Sequence, residues 1–260
     1  MLRKVVSVGL WFLAAVSLMG CPGCDSMGLA TGIRMSWASA DGGMSLTASW
    51  SDPDVKGGTF TTDGELGGFI SSGPGSHTFA EPFRHVKWDG TNNDGRKYLS
   101  DSASFEPILT DSVTLYPISD SLNPAHACHA LAFTTNGYCH ASAYNDEYHG
   151  FTWFVLVDSG DSLFLLAADK YRLPNGEMYH WSGTGKVCVV SGGFSSLQTC
   201  PDSTAGWDTR EQLEVGGGWV YALGIYPRFA KLEVTAIQGK AVTLRTAVQW
   251  CSGLRWVKTD

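Results

Sequence analysis

Basic residues are scarce in this chain: 18 Lys and Arg stand against 25 Asp and Glu, a formal charge of −7, and nothing gathers them into a positive patch. Such a balance repels phosphate backbones and anionic lipid surfaces, which argues against a nucleic acid partner and fits a soluble exported domain. The short signatures of common chemistry are missing too. There is no Gly-x-Ser-x-Gly elbow, no Ser-x-x-Lys, no His-Glu-x-x-His and no Gly-x-x-x-x-Gly-Lys-Ser/Thr, so nucleophile, zinc-protease and phosphate-loop readings lose their usual support. Asp52 with Asp54, or Asp146 with Glu147, are carboxylate pairs of the kind a glycosidase uses, but adjacency in sequence does not place a pair across a cleft. No stretch keeps a 3.6-residue apolar period for long, which leaves helix only for short pieces.

What is present begins with a leader. Arg3 and Lys4 precede an apolar run from Val5 to Val16, with Trp11, Phe12 and Leu13 at its centre and small residues after it, as in a secretory signal. The competing reading, a membrane-spanning anchor, needs roughly 20 apolar residues, and this run is shorter and is broken by Pro22-Gly23. Leu18-Met19-Gly20-Cys21 resembles the lipobox of bacterial lipoproteins. That resemblance implies removal of residues 1–20 and attachment of two or three acyl chains to Cys21, enough to hold a soluble domain on a bilayer durably. Residue 22 is Pro rather than the Asp that retains such lipoproteins at the inner membrane, so the resemblance implies an outer-membrane address. Without Arg3 and Lys4 the mature chain carries 16 basic and 25 acidic residues, a formal −9.

Seven cysteines occur in the chain, and six remain if Cys21 carries lipid: Cys24, Cys128, Cys139, Cys188, Cys200 and Cys251. An even number in an oxidising compartment favours disulfides over metal thiolates, although the connectivity stays open. Spacing favours Cys128 with Cys139 and Cys188 with Cys200 as short loops. Cys24 either meets Cys251 or stays unpaired in the tether. Each bridge would contribute about 2 to 4 kcal/mol.

Beyond the tether the chain reads as strands, with 31 glycines and recurrent short β-branched and aromatic runs. The expected class is mainly β: an antiparallel β-sandwich or barrel-like body, in one or two subdomains, stabilised by disulfides. The clearest hairpin pairs residues 231–237 with 241–248 around Gln238-Gly239-Lys240. Residues 151–157 and 162–167 flank Asp158-Ser159-Gly160-Asp161, and both arms are apolar on both faces, which predicts the central hairpin of the larger core. Short helical turns are expected from Asn123-Pro124 through His129, and from Ser203 or Thr204 toward Leu213. A change of composition near Pro117 to Pro124 divides the chain into a leader (1–20), a lipidated tether (21–35), a small β region (36–118) and a cysteine-containing main β domain (119–260).

Val86-Lys87-Trp88-Asp89-Gly90-Thr91-Asn92-Asn93-Asp94-Gly95-Arg96-Lys97 resembles the Trp-Asp-Gly turn of immunoglobulin-like domains of the flagellar hook-capping type. The likeness covers about a dozen residues, carries no catalytic role and implies a small β-sandwich in which the Trp ends a strand. Tyr98-Leu99-Ser100-Asp101-Ser102 follows where that family has a Gly and an aromatic strand.

Three sets of candidate site residues emerge. Asn92, Asp94 and Asp101 fall at the third, fifth and twelfth places of a calcium loop with Gly95 at the sixth, but Gly90 occupies the first, where a carboxylate is needed, so an Asx-rich turn is the simpler reading. His126, His129, His140 and His149 lie close together with Asp146 and Glu147, a donor set suited to zinc in a spacing that matches no established zinc pattern. Trp88, Trp181, Trp207 and Trp219 sit beside Gly, Asp or Ser rather than in apolar runs. Such tryptophans either stack on sugar rings or plug the ends of a sandwich. No cofactor is expected, with calcium and zinc as the ions weighed.

The expected function is therefore binding, of a surface glycan or of an envelope or extracellular protein, by a lipoprotein held on the bilayer through Cys21. The alternatives are a periplasm-facing assembly factor that docks through sheet edges and a metal-assisted hydrolase. An exposed aromatic patch favours the first, an open edge strand the second, and convergence of His126, His129 and His140 the third.

Overall fold

The computed structural model describes residues 33–92, 100–120, 127–134, 136–144, 147–148, 151–179, 187–189, 196–202, 208–210, 212–216, 220–225 and 228–259. These residues are mainly β: eighteen strands, every pairing antiparallel, and two short 3-10 turns at Asp41–Gly43 and Ile118–Asp120. Among them no helix is long and apolar enough to cross a membrane.

Seven strands build a first sandwich. One sheet has the order β1-β2-β5 from β1 (Ser36–Ala40), β2 (Ser45–Trp50) and β5 (Gly75–Phe79). The other has the order β4-β3-β6-β7 from β3 (Val55–Thr62), β4 (Glu65–Ile70), β6 (His85–Asn92) and β7 (Asp101–Ser104). Alternation with a period of two sends Leu46, Ala48 and Trp50 inward from β2 and Val86 and Trp88 inward from β6, against Phe60, Phe79 and Phe105. Lys87 and His85, on the opposite parity of β6, are exposed.

The second core is larger. Its five-stranded sheet has the order β10-β9-β11-β12-β15, from β9 (Ala130–Phe133), β10 (Cys139–Ser142), β11 (Thr152–Asp158), β12 (Leu163–Ala167) and β15 (Gln212–Glu214). Facing it is β16-β17-β18-β8, from β8 (Ile108–Leu115), β16 (Val220–Ile225), β17 (Arg228–Gln238) and β18 (Ala241–Gln249). The sheets approach closure at one seam, where the Cys139 amide of β10 donates to Thr110 Oγ1 of β8 at 3.1 Å. A pair formed by β13 (Val187–Val189) and β14 (Asp208–Arg210) lies beside β15 and β16 on the other side. The result is intermediate between sandwich and barrel.

Both expected hairpins form. In β17–β18, Gln238 pairs with Ala241 across a two-residue turn at Gly239-Lys240, with Gly239 at φ 61°. In β11–β12, Phe154, Leu156, Leu165 and Ala167 enter the main core while Val155 meets Ala130, Ala168 and Tyr179 on the outer face. Two apolar faces on one strand thus correspond to two layers of packing.

A strap at the end of the chain ties the sandwiches together. Residues 251–259 leave β18 and cross back, so that Leu254 and Trp256 are buried in the first core. The Arg255 amide donates to Gly43 O (2.9 Å), and the Trp256 indole N–H donates to Met44 O (3.2 Å). At Gly43, which has φ 93°, a Cβ would sit 2.1 Å from Gly253 O, so the close backbone approach requires glycine. Gln249 seals the junction, its amide donating to Phe105 O (2.9 Å) and Trp256 O (3.0 Å) and accepting from the Cys251 amide (3.0 Å). On the outer face of β17, the wholly buried Lys231 ammonium donates to Leu197 O, Asp202 Oδ1 (2.6 Å) and Thr259 Oγ1, which satisfies all three of its N–H groups.

Several expectations need correction. Ile33 and Met35, assigned to the tether, already belong to the first core. The boundary placed at 118 follows β8, which pairs with β18 of the second core. Of the helical turn expected from Ser203 or Thr204 toward Leu213, residues 208–210 and 212–214 are the strands β14 and β15 and residues 203–207 lie outside the described residues, as does most of the one proposed after Asn123. Trp88 does not end its strand, since β6 pairs with β3 as far as Asn92. The Cys128–Cys139 loop does not close: Cys139 is opposite Phe133, and Cys128 lies five residues back along the same strand direction. That offset is about 16 Å, far beyond the roughly 7 Å between Cα atoms that a disulfide spans. Cys139 and Cys200 are buried thiols, pushed by burial to pKa values of about 12 and about 11. Cys251 packs against the first core, and its partner in the expected long-range bridge, Cys24, lies outside the described residues, as do Cys21 and the side chain of Cys188.

Candidate functional site

The outer face of the five-stranded sheet carries a cluster of tyrosines. Ala130, Val155 and Ala168 present a floor of small and β-branched side chains, and Tyr179 lies on it with Ile118, Val157, Tyr171 and Leu173 around it. Tyr179 arrives on a tight reversal whose turn is Pro174-Asn175-Gly176. Its amide donates to Tyr171 O (2.9 Å), Leu173 N donates to Glu177 O (2.8 Å), and Gly176 takes φ 86°. The two tyrosines therefore stand opposite each other across the reversal.

Tyr179 is 1% exposed, and its hydroxyl is 2.9 Å from His129 Nε2. A buried phenol with its oxygen engaged is held in one orientation. Tyr144, two residues past the end of β10, meets the Tyr179 ring edge-on at 5.4 Å and stays 39% exposed. Tyr171 also meets the Tyr179 ring edge-on, at 6.3 Å, and burial raises its phenol above the ordinary value. Further along β10, His140 stacks flat on Tyr148 at 4.4 Å. Four separate chain segments thus bring aromatic rings to one side of one sheet, with Tyr144 at the solvent margin.

The candidate residues named from sequence fare differently. Trp88 is 1% exposed and donates its indole N–H to Ile33 O (3.2 Å), so it is a core residue and not a ligand platform. Its neighbours Asp89 and Gly90 suggested a loop, but pairing with β3 carries the strand past them. Trp181, Trp207 and Trp219 lie outside the described residues. His129 and His140 are not brought together, since each engages a different tyrosine; His126 and His149 lie outside the described residues. Asp101 begins β7 and accepts the adjacent Ser102 amide at 2.7 Å, while Asp94 and the side chain of Asn92 are not described. Among the described residues no three His, Cys, Asp or Glu side chains group as metal ligands would.

The tyrosines were missed. Their signal is the spacing Tyr171 to Tyr179, equal arms about Pro-Asn-Gly, which places both rings as cross-strand partners. What the arrangement offers to a ligand is the partly exposed Tyr144 ring, with His140, Tyr148 and Tyr171 half-buried and Tyr179 and His129 buried as support, a surface suited to stacking and hydrogen bonding. No family model matches the chain, and no curated protein and no solved structure is significantly similar to it.

Proposed function

We propose that this protein is a lipoprotein of the bacterial outer membrane, anchored through acylated Cys21, that acts by binding, and that its ligand is a surface glycan held against the Tyr144 ring. The observation that carries this reading is the partly exposed Tyr144 ring braced edge-on against a buried Tyr179 ring whose hydroxyl is held by His129. A sugar gains most from an aromatic surface that is already ordered, because little side-chain entropy remains to be lost on binding. The leader and lipobox supply the address, and the acidic mature chain suits a soluble body on a tether.

The full chain in detergent, titrated with neutral oligosaccharides while tyrosine fluorescence is followed, tests the proposal. Tyr144→Ala is expected to weaken binding about tenfold or more, and Tyr144→Phe to keep most of it. Neutral glycans that fail to bind at millimolar concentration, or equal binding by Tyr144→Ala, would overturn it. A second reading, an assembly factor docking through sheet edges, draws on edge strand β4, where Leu66 and Phe69 are 64% and 67% exposed.

A further inference from the structure

On the first sandwich, the outward face of β3, β6 and β7 forms an open groove of about 590 Å³ lined by Thr61, Asp63, His85, Lys87, Ser102 and Ser104. The register sets Thr61, Lys87 and Ser102 side by side on three neighbouring strands, and His85 beside Ser104. Neighbouring strands lie about 4.8 Å apart, so Thr61, Lys87 and Ser102 leave the outward face of the sheet from adjacent positions, the lysine between two hydroxyl residues. We propose that this groove binds an oxyanion carried on a saccharide chain, with Lys87 pairing the charge and Thr61 and Ser102 donating to its oxygens.

Charge in the groove favours that occupant. Asp63 would repel an anion, but it is already taken up: it accepts from the Arg84 and His85 amides at 3.0 and 2.8 Å and from the Lys258 ammonium at 2.9 Å. Glu106 at the rim is 3.2 Å from His85 Nε2. Lys87 has no carboxylate partner among the described residues, and the Thr61 and Ser102 hydroxyls have no hydrogen-bond partner there. Asp89 shares the outward face of β6 one step further along and does not line the groove. An exposed cation flanked by unengaged hydroxyl donors is a local place for an anion despite the negative charge of the chain, and sheet strands hold the three groups at fixed spacing. The saccharide half of this proposal rests on the glycan reading above, and because the groove and the tyrosine face belong to different cores, variants at Lys87 and Tyr144 separate the failure of one from the failure of the other.

Calorimetric titration of the full chain with an oligogalacturonate, its methyl ester and inorganic sulfate separates the outcomes. In the Tyr144→Ala chain, where the neutral-glycan face no longer contributes, the oligogalacturonate is expected to bind, the ester and sulfate each about tenfold more weakly, and adding Lys87→Gln to cost about tenfold for the oligogalacturonate. Lys87→Gln changes an exposed side chain, and an unaltered melting curve shows that it folds. No binding of any anionic probe, ester binding equal to acid binding, or an unaffected Lys87→Gln would overturn the proposal. Sulfate binding as tight as the oligomer would overturn its saccharide half.

Discussion

At the scale of single residues, Gln249 shows how much one buried amide can hold. It is 2% exposed and satisfies two carbonyls and one N–H that come from the end of the first sandwich and from the strap. Gln249→Leu keeps the volume and orphans all three groups; at roughly 1 to 3 kcal/mol for each, discounted for relaxation, the expected loss is about 3 kcal/mol. A urea midpoint lowered at unchanged slope is the expected readout, and an unmoved midpoint would mean that water replaces the amide. None of this is legible in sequence, where Gln249 is simply the last polar residue of an alternating strand. Trp88 errs in the opposite direction. Val86 and Trp88 share a parity that points both inward, but Asp89-Gly90 carry turn chemistry, and local composition outweighed alternation until pairing with β3 was visible.

At the scale of elements, what was legible was contiguous. The hairpins β11–β12 and β17–β18 are specified by their own arms and turns, so their pattern contains all that is needed. The strap and β8 are not, because their partners lie far away in sequence, and the Tyr171–Tyr179 reversal gains meaning only from the sheet beneath it. The strap's far end is pinned by Lys258 on Asp63. Partial burial works against the ionised Asp63, but the Lys258 ammonium and the His85 and Arg84 amides outweigh it and hold the carboxyl below its ordinary pKa. A lowered folded pKa means that the stabilisation is fully present above the unfolded value of about 3.9 and is lost as pH falls through the lower folded one. Asp63→Asn is therefore expected to be less stable than the parent at pH 7, with the difference closing as both are acidified through that window in denaturant titrations. A gap that stays constant down to pH 2 would show that the pair does not carry the acid sensitivity.

At the scale of the whole molecule, two cores share one chain end. The first core is completed by Leu254 and Trp256, which the chain supplies only after the second core has been laid down, so the first sandwich is not finished without the end of the second. Burial of a large aromatic such as Trp256 is worth about 3 to 5 kcal/mol against its truncation, a large share of the 5 to 15 kcal/mol that a whole domain commands. The strap also covers the second core's outer face through Val257 and the Lys231 clip, which couples the two energetically as well as physically. The intact protein is expected to melt in one cooperative calorimetric transition. Trp256→Ala is expected to split it, with the first sandwich melting about 10 °C or more below the second, whose main core excludes the strap. Two transitions already present in the parent would show the sandwiches to be independent, and a single unshifted transition in the variant would show that the strap packs without carrying load.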